Sequence, residues 1–234
     1  MQAAIFVFGI ISASLMVILP IPQLITTLKT KNISNVSYPA FFIYFIGGSI
    51  FVAVMTLLKK DIPINVDKDP IINIIGNTLF VGIMALTISS FMLFDKRINF
   101  VTKLIVITIV SAIFIGLLTW WIVEYSLKRE GYFEQKSPLL TTLIIIGNSC
   151  TALPFIAQIV KTIKNRSAEG VSFILLICGL LINISLGIYF VLLLDKFSPM
   201  WFVTLLFQTV GAIVYIVQIC ICLMFKYKHK QMSK

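Results

Sequence analysis

ILPIPQLITTLKTKNISNVS, residues Ile18–Ser37, decides how the rest of the chain is read. An apolar run meets Pro20 and Pro22, then Gln23, then a short basic turn, then a new apolar run. The same order returns 135 positions later (158 − 23) in Ala157–Ser172, AQIVKTIKNRSAEGVS. At that offset Gln23 meets Gln158, Thr27 meets Thr162, Lys29 meets Lys164, and Val36-Ser37 meets Val171-Ser172. Lys31 meets Arg166, which keeps the charge. Self-similarity at a fixed offset marks a duplicated unit and sets the architecture.

The surrounding composition says what kind of duplication this is. The 234 residues are 59% hydrophobic and 12% charged, with a net charge of +10. A soluble domain is nearer half apolar and a quarter charged. This chain cannot cover itself with polar surface, so it is read as an integral membrane protein.

Seven apolar runs are long enough to span a bilayer, at about 3–28, 38–58, 70–94, 100–123, 138–163, 171–194 and 199–225. Each holds the roughly 20 residues that a 30 Å hydrocarbon core requires. Lipid satisfies no backbone group, and the alternation of a barrel strand is missing, so the runs are expected to be helices. The apolar N-terminus has no basic leader and is read as the first retained span.

Placing the N-terminus outside puts twelve Lys and Arg residues in inside segments, among them Lys29, Lys31, Lys96, Arg97, Lys164, Arg166 and the tail lysines. Seven fall outside. The positive-inside rule therefore predicts N-out, C-in. The trailing Lys226–Lys230 would meet anionic headgroups at the inner leaflet. The plasma membrane is the expected location, with no retrieval or lipidation signal at the C-terminus.

Runs one to three correspond to runs five to seven, and the fourth run has no counterpart, so the fold class is all-α, seven-helix, 3+1+3. The expected boundaries are 1–95 for the first three-helix unit, 96–137 for the linker helix and its loop, 138–225 for the second unit, and 226–234 for a basic cytoplasmic tail. Pro70 and Pro199 each open the third helix of a unit. A single extra crossing restores the orientation of the second unit, so the two units run parallel.

Proline inside a helix removes one backbone hydrogen bond and crowds the carbonyl four residues back. Lipid tolerates this where neighbours or cavity water satisfy the freed group. Pro20, Pro22 and Pro154 thus mark weak points near the inner ends of the first and fifth spans. Gln23 and Gln158 bring amides beside them. With Pro39, these residues are the candidate inner gate.

Polar groups inside the spans are few and include Ser49, Asn73, Asn77, Thr78, Asn148, Asn183, Thr204 and Gln208. Each needs a partner or a cavity in lipid. Interhelical hydrogen bonding accounts for any one of them; taken together they suggest a site. The binding candidates are Asn77, Gln208, Asn183, Ser49, Thr204 and Asn73. No Asp or Glu sits mid-span, where such a group usually marks proton or ion coupling.

The two motif copies resemble the PQ-loop signature shared by SWEET, semiSWEET and cystinosin-like transporters. The first copy has Pro22-Gln23, Lys29-Thr30-Lys31 and Val36-Ser37; the second has Lys164-Asn165-Arg166-Ser167 and Gly170-Val171-Ser172. Two positions depart from the pattern: Ala157 stands where a proline would precede Gln158, and the second unit has Phe173-Ile174 where Pro39 would recur. The resemblance implies two parallel repeats about an axis along the membrane normal. It also implies a small-molecule substrate, with a sugar favoured, whose hydroxyls are bound by third-helix asparagines. Asn77 carries that role in the first unit, and Gln208 or Thr204 replaces it in the second.

The expected function is facilitative alternating-access uniport of a small neutral solute. The alternatives are a proton-coupled amino-acid transporter of the cystinosin type and a KDEL-receptor-like sorting receptor. The chain lacks a nucleophile–base pairing, a metal cluster and a phosphate loop, so no enzyme, cofactor or metal is expected. Membrane lipid is an expected partner, nucleic acid is not, and a homo-oligomer is left open. The four cysteines lie inside apolar runs and read as packing residues.

Because Ala157 replaces the second-copy proline, the first unit is expected to supply more of the bending. Pro22→Ala should therefore slow solute flux in proteoliposomes more than Pro154→Ala, and equal slowing would contradict the asymmetry.

Overall fold

The computed structural model describes residues 2–31, 33, 38–58, 70–128, 131–165 and 173–232. The helical segments are α1 (Gln2–Ile18), α2 (Ile21–Thr30), α3 (Tyr38–Leu57), α4 (Ile71–Phe94), α5 (Phe100–Ser126), α6 (Pro138–Asn165), α7 (Phe173–Leu193) and α8 (Pro199–Met232). Among the described residues the only extended pairing is one isolated bridge between Leu58 and Phe133. The motif turns at 34–37 and 166–172 lie outside the described residues, as does the Gln158 side chain.

One boundary differs from expectation. The first apolar run breaks into α1 and α2 at Leu19-Pro20. Pro20 and Pro22 supply no N–H, and Pro22 sits in the first turn of α2, where a missing donor costs nothing. In the second unit, α6 runs through Pro154 unbroken. The two halves thus bend differently where their prolines differ.

Six helices close into a ring. In order around it, α1 packs on α4, α4 on α3, α3 on α6, α6 on α8, α8 on α7, and α7 back on α1. Exchanging α1 with α6, α3 with α7 and α4 with α8 carries every one of these contacts onto another. The ring therefore has a pseudo-two-fold axis through its centre, and each unit's third helix sits between the other two. The linker α5 packs outside the ring on α4 and α3. Of α5 only Val110 and Glu124 are fully buried; Val106, Phe114, Leu117, Trp121 and Tyr125 pack half-buried against the core, and the opposite face is exposed.

Helices in lipid gain little from apolar burial and associate where small residues let backbones approach. Gly47 of α3 meets Gly147 of α6, where a Cβ on Gly47 would lie 3.1 Å from the Gly147 carbonyl oxygen. Gly76 of α4 meets Ala13 of α1, and a Cβ there would lie 2.6 Å from the Ala13 methyl. The second seam between the units is unlike the first: Gly9 of α1 receives the ring of Tyr189 from α7.

The two ends of the ring are built differently. One apolar cluster joins all six ring helices near the end holding the N-terminus, through Ile5, Met55, Ile74, Leu140, Leu193 and Met200, and continues within the first unit as far as Ile88. The segment after α5 straps over this end. The Tyr132 and Phe133 amides donate to the Leu57 carbonyl at 2.9 and 3.1 Å, and the Asp195 amide donates to Gln135 Oε1 at 2.8 Å. The strap thereby ties the first unit to the second. At the motif end, the described residues form two small clusters, each within one unit: Ile33, Phe91 and Met92, and Leu176, Tyr215 and Cys222.

The motif end of the first unit has a polar anchor. Buried Asp95, just past α4, accepts from the Tyr38 hydroxyl at 2.7 Å and from Arg97 Nε and Nη2 at 3.0 Å. The Arg97 guanidinium, helped by that hydroxyl, holds the Asp95 carboxyl well below the usual carboxylate range. This fixes the start of α3 against the end of α4.

Gly76→Val should lower the detergent melting temperature, because neither Ala13 nor its backbone can retreat. Gly116→Ala meets nothing within 4 Å and should leave melting unchanged or slightly raised.

Candidate functional site

A cavity of about 220 Å³ occupies the middle of the ring, with every ring helix contributing to its wall. It is smaller than the roughly 300–1,000 Å³ of sites for drug-sized ligands, which limits it to a small solute. Most of the wall is apolar and aromatic. Into it project the amides of Asn73 and Asn77 from α4, Asn148 from α6, Asn183 from α7 and Gln208 from α8. No charged side chain is among the described residues of the wall.

The asparagines share one arrangement. Asn77 Nδ2 donates to the Asn73 backbone carbonyl at 2.9 Å and to Asn73 Oδ1 at 2.9 Å. Asn148 Nδ2 donates to the Ile144 carbonyl at 2.9 Å, and Asn183 Nδ2 to the Gly179 carbonyl at 2.8 Å. Each back-bond to the preceding turn pins a side chain by its nitrogen and leaves the amide oxygen for something else. Asn77 Oδ1 is buried and has no hydrogen-bond partner. Asn148 Oδ1 receives only a 3.5 Å contact from Gln208 Nε2, at the weak limit of hydrogen bonding. The wall is therefore biased toward fixed acceptors.

Two glycines create room for these groups. A Cβ on Gly211 of α8 would overlap the Asn183 amide oxygen, and a Cβ on Gly179 of α7 would overlap the Tyr215 ring. The α7–α8 seam is thus a reciprocal pair, each helix offering a glycine to a polar tip of the other.

Of the residues singled out in the sequence, Asn73, Asn77, Asn183 and Gln208 come together in the wall. The 135-residue offset places Gln208 opposite Asn73. Ser49 and Thr204 are not wall residues: Ser49 donates its hydroxyl to the Phe45 carbonyl at 2.8 Å, and Thr204 is buried. Pro20 is buried at the α1–α2 break, beside the wall residue Leu19; Pro22 and Pro39 are exposed, and Pro154 lies in α6 three residues past wall residue Thr151. Gln23 Nε2 donates to the Thr27 hydroxyl at 3.1 Å within α2.

Asn148, Thr151, Tyr44 and Tyr215 are wall residues that were not among the candidates. The three-residue spacing of Asn148 and Thr151 places both on one face of a helix, which was the available signal. Nothing in the sequence separates Tyr44 and Tyr215 from ordinary span aromatics.

A family model described as the PQ loop repeat matches residues 4–64 and 139–198. The chain belongs to the PQ-loop family. Its two matched regions begin at α1 and α6, the helices that the two-fold axis exchanges. Among solved structures, the PQ-loop chain is similar to one described as a eukaryotic SWEET transporter, with a TM-score of 0.68 and 14% identity, covering 97% of this chain and 98% of that one. No curated protein matches it. The family, the fold and the long apolar helices make this PQ-loop protein a multi-pass membrane protein.

Gly211→Ala should displace Asn183 from the wall and weaken binding of any solute the cavity takes by about tenfold, the worth of one hydrogen bond. Helix content by circular dichroism should stay unchanged.

Proposed function

We propose that this PQ-loop protein is a facilitative transporter of a small, neutral, hydroxyl-rich solute such as a sugar, working by alternating access. The carrying observation is the central cavity whose amides come from both repeats, with Asn77 Oδ1 free and Asn148 Oδ1 only weakly engaged. Such acceptors suit a ligand rich in O–H donors. A carboxylate ligand would face acceptors and find no cation in the described wall, and an ammonium would find no anion. The aromatic side chains cover the solute's C–H faces.

The uneven ends of the ring support the mechanism. The apolar cluster and the strap close the N-terminal end, while the described residues at the motif end form separate clusters in each unit. Two units that rock about the central cavity would exchange which end is closed. With the N-terminus outside, in the plasma membrane, as the inside excess of Lys and Arg supports, the present arrangement is closed to the outside. The wall has no described titratable acid to couple to protons, so the solute gradient is the driving force.

The experiment is uptake of radiolabelled D-glucose, D-fructose and sucrose by proteoliposomes. Asn77→Ala should lower uptake at least tenfold, and an imposed pH gradient should leave wild-type uptake unchanged. Uptake that follows the pH gradient would overturn uniport in favour of proton coupling.

A further inference from the structure

Gln218 of α8 is wholly buried, at 0% exposure, and neither its Nε2 nor its Oε1 has a hydrogen-bond partner. A fully buried amide with both ends unmet is the least comfortable polar group in an apolar bundle. Interhelical glue does not account for it, because glue requires a partner.

Its direction is informative. Six α8 residues line the cavity: Phe207, Gln208, Val210, Gly211, Val214 and Tyr215. At about 100° per residue, the direction of Gln218 falls within a few degrees of their mean. It therefore faces the ring interior. It lies three residues past Tyr215, about 4.5 Å further along the helix axis at 1.5 Å per residue. That displacement is toward the motif end, the end without a described cluster joining the units. Tyr215, three residues nearer the cavity along α8, lines it and rests its ring against Gly179.

We propose that Gln218 forms a second solute-binding point on the path from the central cavity to the motif end. A solute hydroxyl leaving the asparagine oxygens would meet the Gln218 amide once the Tyr215 ring leaves its seat on Gly179. An amide both donates and accepts, so it suits a hydroxyl, which does the same. Its place beyond the aromatic ring makes it a station for transit, with no part in holding solute in the cavity. This inference rests on the transport reading above.

The test compares wild type, Gln218→Met, Gln218→Asn and Asn77→Ala in proteoliposomes, with radiolabelled D-glucose, D-fructose and sucrose as probes. Methionine keeps the length and flexibility and removes the amide. Gln218→Met should lower the maximal uptake rate about tenfold, as loss of one hydrogen bond in transit would. The half-saturating concentration should stay within about twofold, and the melting temperature should equal or exceed that of wild type, since an unmet buried amide is gone. Gln218→Asn should keep most of the rate.

Wild-type rates in Gln218→Met beside a dead Asn77→Ala would overturn the second binding point and leave transport standing. A lowered melting temperature in Gln218→Met would show a structural amide and overturn it as well. If wild type took up none of the probes and matched Asn77→Ala, the transport reading would fall and the path with it.

Discussion

Hydrocarbon offers no hydrogen bonds to a backbone, and the rest of this molecule follows from that. Every span must be a helix, so the chain can vary only in where the helices break and where they touch. The same constraint gathers side-chain amides. Asn77, Asn148 and Asn183 each bind a carbonyl of their own helix with the amide nitrogen, which anchors them without a second chain segment. All three line the central cavity. A transport-sized cavity with acceptor groups is the place where polar side chains in such a bundle can be accommodated.

Close helix contact is the second consequence. With no hydrophobic drive between helices in lipid, the ring closes where glycine permits it, at Gly47 against Gly147 and at Gly76 against Ala13. The symmetry of the contacts is tighter than the symmetry of the residues that make them. One seam between the units is glycine on glycine; its counterpart seats Tyr189 on Gly9. The α1–α2 break faces an unbroken α6. Two halves of one design therefore differ in helix continuity and in packing.

Much of the fold was legible in the sequence because it rests on local properties. Apolar run length predicts a span, proline predicts a weak point, and the motif offset pairs the repeats. Pro70 and Pro199 begin the third helices as expected. The split at Leu19-Pro20 was legible as a weak point but not as a break, since whether a proline kinks or cuts a helix depends on what packs beside it. Four of the six binding candidates meet in the wall. Ser49 does not, because its hydroxyl satisfies itself on its own helix and need not face a cavity; Thr204 is buried outside the wall with its hydroxyl unmet.

By itself the sequence determined the class of molecule, the number of spans, the doubling and the two motif positions, all of which depend on composition and order along the chain. Only the tertiary structure decided which helices are neighbours, that α4 and α8 sit between their unit partners, and where one apolar cluster joins all six ring helices. It alone brought Asn148 to within 3.5 Å of Gln208, 60 residues away. It alone left Gln218 buried without a partner. Helix rotation and neighbour choice are set by long-range packing at a few glycines, and periodicity within a uniformly apolar run carries almost no record of them.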